Sequence, residues 1–202
     1  PAMMWMDVRA TEQAARAENS ESVARLYNGA GASPATAEWY PFKAAWLREH
    51  EPETYRKAAH LVDAPDWVTF KLTGEWTTNI NSAAIRMYYN RDKGGWPEDF
   101  YQTIGCGDVF DKIPERVLDL GTPVGTLATI PAQLLGLRPG IPVAQGLADA
   151  WAGQIGLGVL SAGSMALITG SSHVLTGQAD TEIHGEGFFG AYPDGVMPGQ
   201  YT

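Results

Sequence analysis

Asp149 is the residue whose type and surroundings most directly suggest catalysis. An apolar run at 141–144 predicts a buried strand, which leads into Gly146 and then into a helix of small residues over 148–157. Ligands of open α/β sheets bind beyond the carboxyl ends of the strands, and the N-terminal end of a helix stabilises an ionised carboxylate. Asp149 could therefore take the proton of an attacking hydroxyl as a general base. The commoner role of an Asp in this place is a helix N-cap, and this segment alone leaves both roles open.

The turn Gly170-Ser171-Ser172 is the second place where chemistry is plausible. It joins two apolar segments, 164–169 and 173–177, which are predicted to be strands. Glycine lets a ligand approach the backbone closely, and successive N–H groups with neighbouring hydroxyls can hold a phosphate. Glycine and serine are also ordinary residues of hairpin turns. The turn alone therefore does not decide between a phosphate site and a plain connection.

The elements that must position these residues alternate between helix and strand, which predicts an α/β fold. Helices are predicted at 11–27 as one broken or two short helices, and at 41–49, 52–59, 66–72, 97–104 and 131–135. Further short strands are predicted at 3–6 and 61–62, loops at 28–33 and 185–200, and a surface region at 79–97 with one helical turn at 82–85.

The composition is that of a folded protein and narrows the choice of partners. The 202 residues are 45% hydrophobic, and 23 acidic against 14 basic residues give a net charge of -9. This balance opposes a nucleic-acid or anionic-membrane partner, because phosphate backbones need clustered Lys and Arg. Cys106 is the only cysteine, so an intrachain disulfide is excluded and a reducing, cytoplasmic location is expected. No apolar run is long enough to span a bilayer. Both ends of the sequence look as though they were cut from a longer chain.

An ordered set of motifs resembles the FGGY family of carbohydrate kinases over nearly the whole chain. The motifs are Trp5-Met-Asp7-Val-Arg9-Ala, Lys43-Ala-Ala-Trp46-Leu-Arg-Glu49-His50, Asp66-Trp-Val-Thr-Phe-Lys-Leu-Thr-Gly74, Pro139-Gly-Ile-Pro-Val143, the Gly-x-x-Asp-Ala step that contains Asp149, and Gly170-Ser171-Ser172. The family has Asn where this chain has His50, and Thr is commoner than Ser171. The hydroxyl is retained in the second of these departures.

The resemblance implies an actin-like ATPase (ribonuclease H-like) fold, with most of the first domain and the start of the second. Residues 1–160 would belong to the sugar-binding domain and 161–202 to the ATP-binding domain, with ATP and sugar in the cleft between them. The residue in the general-base position is then Asp149. The turn Gly170-Ser171-Ser172 would bind the phosphates of Mg²⁺-bound ATP, and no residue of the chain is assigned as a metal ligand.

The resemblance also implies a sugar pocket lined by Trp5 and Asp7. Glu38, in the loop before the Lys43 helix, is expected near the sugar, although a solvated loop carboxylate is the commoner outcome. The motifs are most similar to the ribulokinase-like branch, so a ketopentose such as ribulose, or a pentitol, is the expected substrate; xylulose and glycerol kinases are alternatives. The family's first phosphate turn and its adenosine-binding segment are missing, so this chain alone is expected to be inactive.

Two functions of other classes stay open at this point. The chain could be a non-catalytic sugar-binding or regulatory protein that has lost its ATP machinery. It could also be a glycoside hydrolase, which needs two carboxylates about 5 to 9.5 Å apart; Asp7 and Asp149 could form such a pair, but Gly170-Ser171-Ser172 would then be unexplained. The expected partners are a small sugar and ATP, with no nucleic acid and no membrane, and a homodimer is one of the open oligomeric states.

Overall fold

The computed structural model describes residues 2–28, 35–185 and 187–202, so most of the loop predicted at 28–33 lies outside the described residues. The helices are α1 Thr11–Ala17, α2 Tyr40–His50, α3 Pro52–Lys57, α4 Ala64–Thr73, α5 Ile80–Arg86, α6 Glu98–Thr103, α7 Thr129–Leu135 and α8 Asp149–Gly156. The strands are β1 Thr78–Asn79, β2 Val117–Leu118, β3 Pro123–Thr126, β4 Pro142–Ala144, β5 Met165–Thr169 and β6 His173–Gly177. The helices predicted at 41–49, 52–59, 66–72, 97–104 and 131–135 are confirmed, as is the broken helix over 11–27.

The chain packs as two units that are interleaved along the sequence. The first unit comprises Pro1–Leu61, Ala84–Ile113 and Glu182–Pro193, and the second comprises Val62–Ala83, Pro114–Thr181 and Asp194–Thr202. The predicted domain boundary near Leu160 stays a prediction.

The first unit is built around small residues on helices and a cluster of aromatic rings. Phe42 of α2 meets Tyr88 edge-on, with ring centroids 6.1 Å apart, and Tyr88 stacks on Phe100 of α6 at 4.5 Å. Buried alanines of α1 and α2, such as Ala14 and Ala45, line the same core. Their short side chains allow close helix approach, and the aromatic rings fill the remaining space.

The second unit contains three strand pairs with helices packed against them. β1 and β2 are parallel, whereas β3 with β4 and β5 with β6 are antiparallel. Helix α4 begins after Asp63, whose carboxylate accepts the Ala64 N–H, and ends at Gly74, which has a φ of 82°. Glycine is favoured there because an L-residue adopts that left-handed conformation at a cost.

The β5–β6 hairpin is buried on one face only. Ala166 and Thr176 are paired across the strands and buried, while Leu167 and Leu175, also paired, are 59% and 64% exposed. Helix α8 covers the buried face: a Cβ added to Gly153 would lie 3.1 Å from Cδ1 of Ile168. The absence of a side chain at Gly153 thus permits the close approach of α8 to the hairpin.

Two of the predicted strands are wrong. Residues 4–7 form a turn in which the Asp7 N–H donates to the Met4 carbonyl at 3.1 Å, and Met4 and Trp5 are 62% and 47% exposed. Leu61 donates one N–H to the Lys112 carbonyl at 3.0 Å, but residues 61–62 form no ladder. A short apolar run becomes a strand only beside a partner strand, and neither segment has one among the described residues.

Two predictions about burial are also wrong. The region predicted at the surface, 79–97, begins with Asn79, Ile80, Asn81 and Ser82, all of which are buried. Their polar side chains are hydrogen-bonded inside the protein, which removes the cost of burial. Strand β4 exists, but its ends are exposed, because a pair of strands leaves much of its surface uncovered.

Candidate active site

Asp149 is the first residue of α8, after Ala148 at the N-cap position. Its Oδ1 accepts the N–H of Ala150 at 2.9 Å, and the residue is exposed. The bond is local, since its donor is the next residue in the chain. The carboxylate therefore lies at the N-terminal end of a helix and is accessible to a hydroxyl from outside.

The turn Gly170-Ser171-Ser172 lies at the tip of the β5–β6 hairpin. The last strand pair is Thr169 with His173, and within the turn the Gly170 N–H donates to the Ser172 carbonyl at 3.0 Å. A Cβ added to Gly170 would find its nearest neighbour, the Ser172 carbonyl oxygen, at 3.7 Å. That is an ordinary contact, so the fold itself does not require glycine here. The missing side chain instead leaves the exposed backbone of the turn open to a ligand.

The positions of α8 and β5 relative to each other indicate which end of their layer carries Asp149. Gly153 lies against Ile168, and Asp149 precedes Gly153 by four residues, about 6 Å along the helix. Gly170 lies two residues beyond Ile168, about 7 Å along the strand. Gly153 lies against Ile168, whereas the next residue, Gln154, bonds Thr176, which is paired with Ala166. Moving forward along α8 therefore means moving backward along β5, so the two run in opposite directions. Asp149 and Gly170 therefore lie at the same end of the layer that α8 forms with the hairpin.

Gln154 fixes α8 on the hairpin at its other end. Its side chain is completely buried; Nε2 donates to the Val159 carbonyl at 3.0 Å, and Oε1 accepts the Thr176 hydroxyl at 2.7 Å. A buried amide with both its groups paired resists displacement, since losing either bond leaves a polar atom without a partner. This contact fastens the C-terminal half of α8 to the hairpin.

Asp7 lies in the first unit and is held by Arg9. The guanidinium donates to the carboxylate from Nε at 3.0 Å and from Nη2 at 2.7 Å, and it also covers the Trp46 ring at 4.3 Å. The hydrogen bonds from Arg9 lower the pKa of Asp7 below its ordinary value. Asp7 is therefore ionised at neutral pH, and it can accept hydrogen bonds from hydroxyl groups.

The turn that carries Trp5 is fastened to the start of α2. Nζ of Lys43, in the first turn of that helix, donates to the Met4 carbonyl at 2.6 Å and to the Trp5 carbonyl at 3.1 Å. Glu38 lies two residues before α2, and its N–H donates to Oγ1 of Thr36 at 3.4 Å. Trp5 and Glu38 thus both lie near the N-terminal end of α2, within the same unit as Asp7.

A group of buried polar residues in the second unit was not predicted from the sequence. Asp66 in α4 is 1% exposed, and its Oδ1 accepts hydrogen bonds from Asn79 and Gln145. Desolvation raises the pKa of Asp66 to about 7, although the bonds from Asn79 and Gln145 oppose the shift. The signal in the sequence is the polar run Thr77-Thr-Asn-Ile-Asn-Ser82, which overlaps the region 79–97 predicted at the surface.

The described residues contain neither a candidate metal site nor a candidate membrane-spanning helix. Within residues 2–28, 35–185 and 187–202, no group of three His, Cys, Asp or Glu side chains could hold a metal ion. Among those same residues, no helix is both long and apolar enough to cross a bilayer.

Comparison with known proteins identifies the family. Residues 1–156 match the FGGY family of carbohydrate kinases, N-terminal domain. A Xenopus laevis FGGY carbohydrate kinase domain-containing protein is 33% identical over 98% of this chain and 38% of its own length. A ribulokinase of Anoxybacillus flavithermus is 30% identical over 82% of this chain and 30% of its own length. The chain therefore spans well under half the length of these relatives.

A solved structure shows the same fold. The xylulose kinase from Rhodospirillum rubrum superimposes with a TM-score of 0.79 at 22% identity, covering 96% of this chain and 38% of that one. The predicted α/β, actin-like ATPase fold is thereby confirmed. From its match over residues 1–156, the chain belongs to the FGGY family of carbohydrate kinases.

Proposed function

We propose that the protein, at its natural length, transfers the γ-phosphoryl group of ATP to a hydroxyl of a sugar. The observation that carries this proposal is the placement of Asp149 and Gly170-Ser171-Ser172 at one end of the α8–hairpin layer. A base for the attacking hydroxyl and a turn for phosphate are two of the parts that phosphoryl transfer needs. Membership of a kinase family favours this pairing over the glycoside hydrolase alternative.

In the proposed reaction, Asp149 accepts the proton of the sugar hydroxyl as its oxygen attacks the γ-phosphorus. The new O–P bond forms while the bond between the γ-phosphorus and the bridging oxygen breaks, and ADP leaves. Backbone N–H groups and hydroxyls of Ser171 and Ser172 stabilise the phosphate oxygens. Mg²⁺ enters as part of the nucleotide substrate, and no step is assigned to a metal ligand of this chain.

The sugar side of the proposal rests on the first unit. The ionised Asp7 accepts hydrogen bonds from sugar hydroxyls, and the half-exposed indole of Trp5 offers a face for an apolar side of the sugar. Glu38, before α2, supplies a further acceptor. The hydrogen bonds from Arg9 lower the pKa of this carboxylate and hold it in place, so Asp7 presents a fixed acceptor.

We further propose a ketopentose such as ribulose, or a pentitol, as substrate. The support is that ribulokinases of Anoxybacillus flavithermus and Shouchella clausii are 30% and 31% identical to this chain over 82% and 91% of it. A cytoplasmic location suits an enzyme that uses ATP. The chain alone is proposed to be inactive, because phosphoryl transfer depends on charge stabilisation from more groups than it contains.

The test is ADP release, measured by a coupled assay on the protein at its natural length, with a panel of pentuloses, pentitols and glycerol. Turnover with ribulose or a pentitol, and little with xylulose or glycerol, is expected. Turnover with xylulose or glycerol alone would reassign the substrate within the family. A folded protein that binds sugar but releases no ADP with any of them would contradict the kinase proposal and support the non-catalytic sugar-binding alternative.

A further inference from the structure

Asp66 is the centre of a buried hydrogen-bond network that reaches the loop before Asp149. One oxygen, Oδ1, accepts three hydrogen bonds at 2.9 Å: from the N–H of Asn79, from Nδ2 of Asn79 and from Nε2 of Gln145. Asn79 and Gln145 are 0% and 3% exposed. These contacts join α4, the end of β1 and the residue after β4, and all of them belong to the second unit.

Gln145 forms the first end of the loop that leads to Asp149. Besides donating to Asp66, its side chain accepts the hydroxyl of Thr77 through Oε1 at 2.7 Å. Its backbone N–H donates to the Thr122 carbonyl at 2.8 Å, and its carbonyl accepts the N–H of Gly121 at 3.0 Å. Backbone and side chain of Gln145 are therefore both fixed before the chain enters the loop 146–148.

Asn81 holds the second end of that loop. Its Oδ1 accepts the N–H of Ala148 at 3.3 Å, and its Nδ2 donates to the Gly195 carbonyl at 2.9 Å. Ala148 is the N-cap residue of α8, immediately before Asp149. The Asn81 amide thus bonds the residue from which the helix of Asp149 starts.

Asn79 connects the two ends. Its Oδ1 accepts the N–H of Ser82 at 2.7 Å, which is the contact that an N-cap side chain makes with the first turn of a helix. Asn79 therefore starts α5, which carries Asn81, while its own N–H groups bind Asp66. The carboxyl group of Asp66 is in this way connected through one network to both ends of the loop 146–148.

We propose that Asp66, Gln145 and Asn81 are positioning residues that hold the loop 146–148 at both ends and thereby fix the place of Asp149. The inference deepens the proposed function, since it concerns the same general base. Gly146 has no side chain that could restrict its backbone, and the loop 146–148 forms neither helix nor strand, so contacts at its two ends determine its course. A fixed base matters because proton transfer needs hydrogen-bond distance to the reacting hydroxyl.

The first test is amide hydrogen exchange on the chain itself, which needs no activity. In Gln145→Ala, the amides of Ala148 and Ala150 are expected to exchange roughly five- to tenfold faster than in the wild type. The Ala150 amide reports on Asp149 directly, because its N–H binds that carboxylate. The matched control is Gln133→Ala, which removes an exposed glutamine of α7 and is expected to change neither rate.

Three further variants keep the test decisive if Gln145→Ala does not fold. Thr77→Val removes the hydroxyl that binds Gln145 and preserves the side-chain volume, so faster exchange at Ala148 is again expected. Asp66→Asn retains the accepting oxygen and should rescue slow exchange, whereas Asp66→Ala should not. Unchanged exchange at Ala148 and Ala150 in folded Gln145→Ala or Thr77→Val overturns the proposal.

The second test separates positioning from mere structure in the protein at its natural length. Gln145→Ala is expected to lower kcat about tenfold while KM for the sugar stays within twofold, because the base moves and the sugar contacts do not. Faster exchange with an unchanged kcat, in an enzyme that Asp149→Asn inactivates, overturns the positioning role. Full activity of Asp149→Asn would overturn the proposed base instead, and the exchange result would still decide whether the loop is held.

Discussion

The two units hold their candidate carboxylates by different physical means. In the first unit, the carboxylate of Asp7 is bound by the cation Arg9, and Lys43 fastens the neighbouring turn. In the second unit, the loop that leads to Asp149 is held by the buried amides of Gln145 and Asn81. An exposed cation lowers the pKa of the carboxylate that it binds, and salt screens this interaction. Buried neutral amides instead fix the position of the groups to which they are hydrogen-bonded. The first region should therefore respond to salt and charge substitutions, and the second to loss of hydrogen-bonding groups.

The largest effect on stability is expected from Asp66→Ala, which removes the acceptor at the centre of the buried network. Three N–H groups would lose their partner, and the free energy of unfolding should fall by about 3 kcal/mol. Urea unfolding measures this change in the free energy of unfolding. Asp66→Asn retains the oxygen and is the matched control, with an expected loss under about 1 kcal/mol. Equal losses in the two variants would show that charge rather than the accepting oxygen matters there.

A pH dependence should come from the same residue. Burial raises the pKa of Asp66 to about 7 from 3.8, so the folded protein binds its proton more tightly than the unfolded chain does. The resulting stability is fully present below pH 4 and is lost as the pH rises toward 7. Between pH 5 and 7.5 the contribution should fall by about 2 kcal/mol. In Asp66→Asn this part of the pH dependence should vanish; an identical profile in both proteins would contradict the raised pKa.

A smaller effect is expected at the hairpin tip. Ser171→Ala removes one hydroxyl from the proposed phosphate turn and should weaken ATP binding about fivefold, while sugar binding stays unchanged. Calorimetric titration of the protein at its natural length measures both affinities. Ser161→Ala, at another exposed serine of the second unit, is the control. Unchanged ATP affinity in Ser171→Ala would leave the turn as a plain hairpin connection.

The smallest effect should be the one on the charge of Asp7. Arg9→Gln removes the cation whose hydrogen bonds lower the pKa of Asp7, so that pKa should rise toward its ordinary value. Carboxyl chemical shifts followed through an acid titration measure the change, with Arg25→Gln as the control for a lost exposed arginine. Because the Arg9 side chain is half-exposed, the fold should tolerate the substitution. A titration of Asp7 identical to that of the wild type would contradict the claim that Arg9 lowers the pKa of Asp7.

The sequence was sufficient where the signal is local. Pro41 and Pro52 near the starts of α2 and α3, and Gly74 after α4, indicated those helices, because their backbone preferences act within one turn. The start of α8 at Asp149 and the hairpin around Gly170 were predicted for the same reason. Each of these features depends on residues that are neighbours in the chain.

The sequence was insufficient where the partner is distant. Asp66 and Gln145 are 79 residues apart, and no local pattern shows that their side chains meet. The region 79–97 was therefore predicted at the surface, although Asn79 and Asn81 are buried and hydrogen-bonded to Asp66 and Gly195. The apolar turn around Trp5 was mistaken for a strand because pairing with a partner strand is likewise a distant contact.

The most direct measurement of the central claim is the turnover of Asp149→Asn in the protein at its natural length. With the base removed, kcat for the preferred sugar should fall about 10³-fold or more, while the affinity for the sugar stays within a few-fold of the wild type. Asp180→Asn, an exposed aspartate beyond β6, should retain normal turnover. Near-normal turnover in Asp149→Asn would contradict the account and reduce Asp149 to a residue that merely begins a helix.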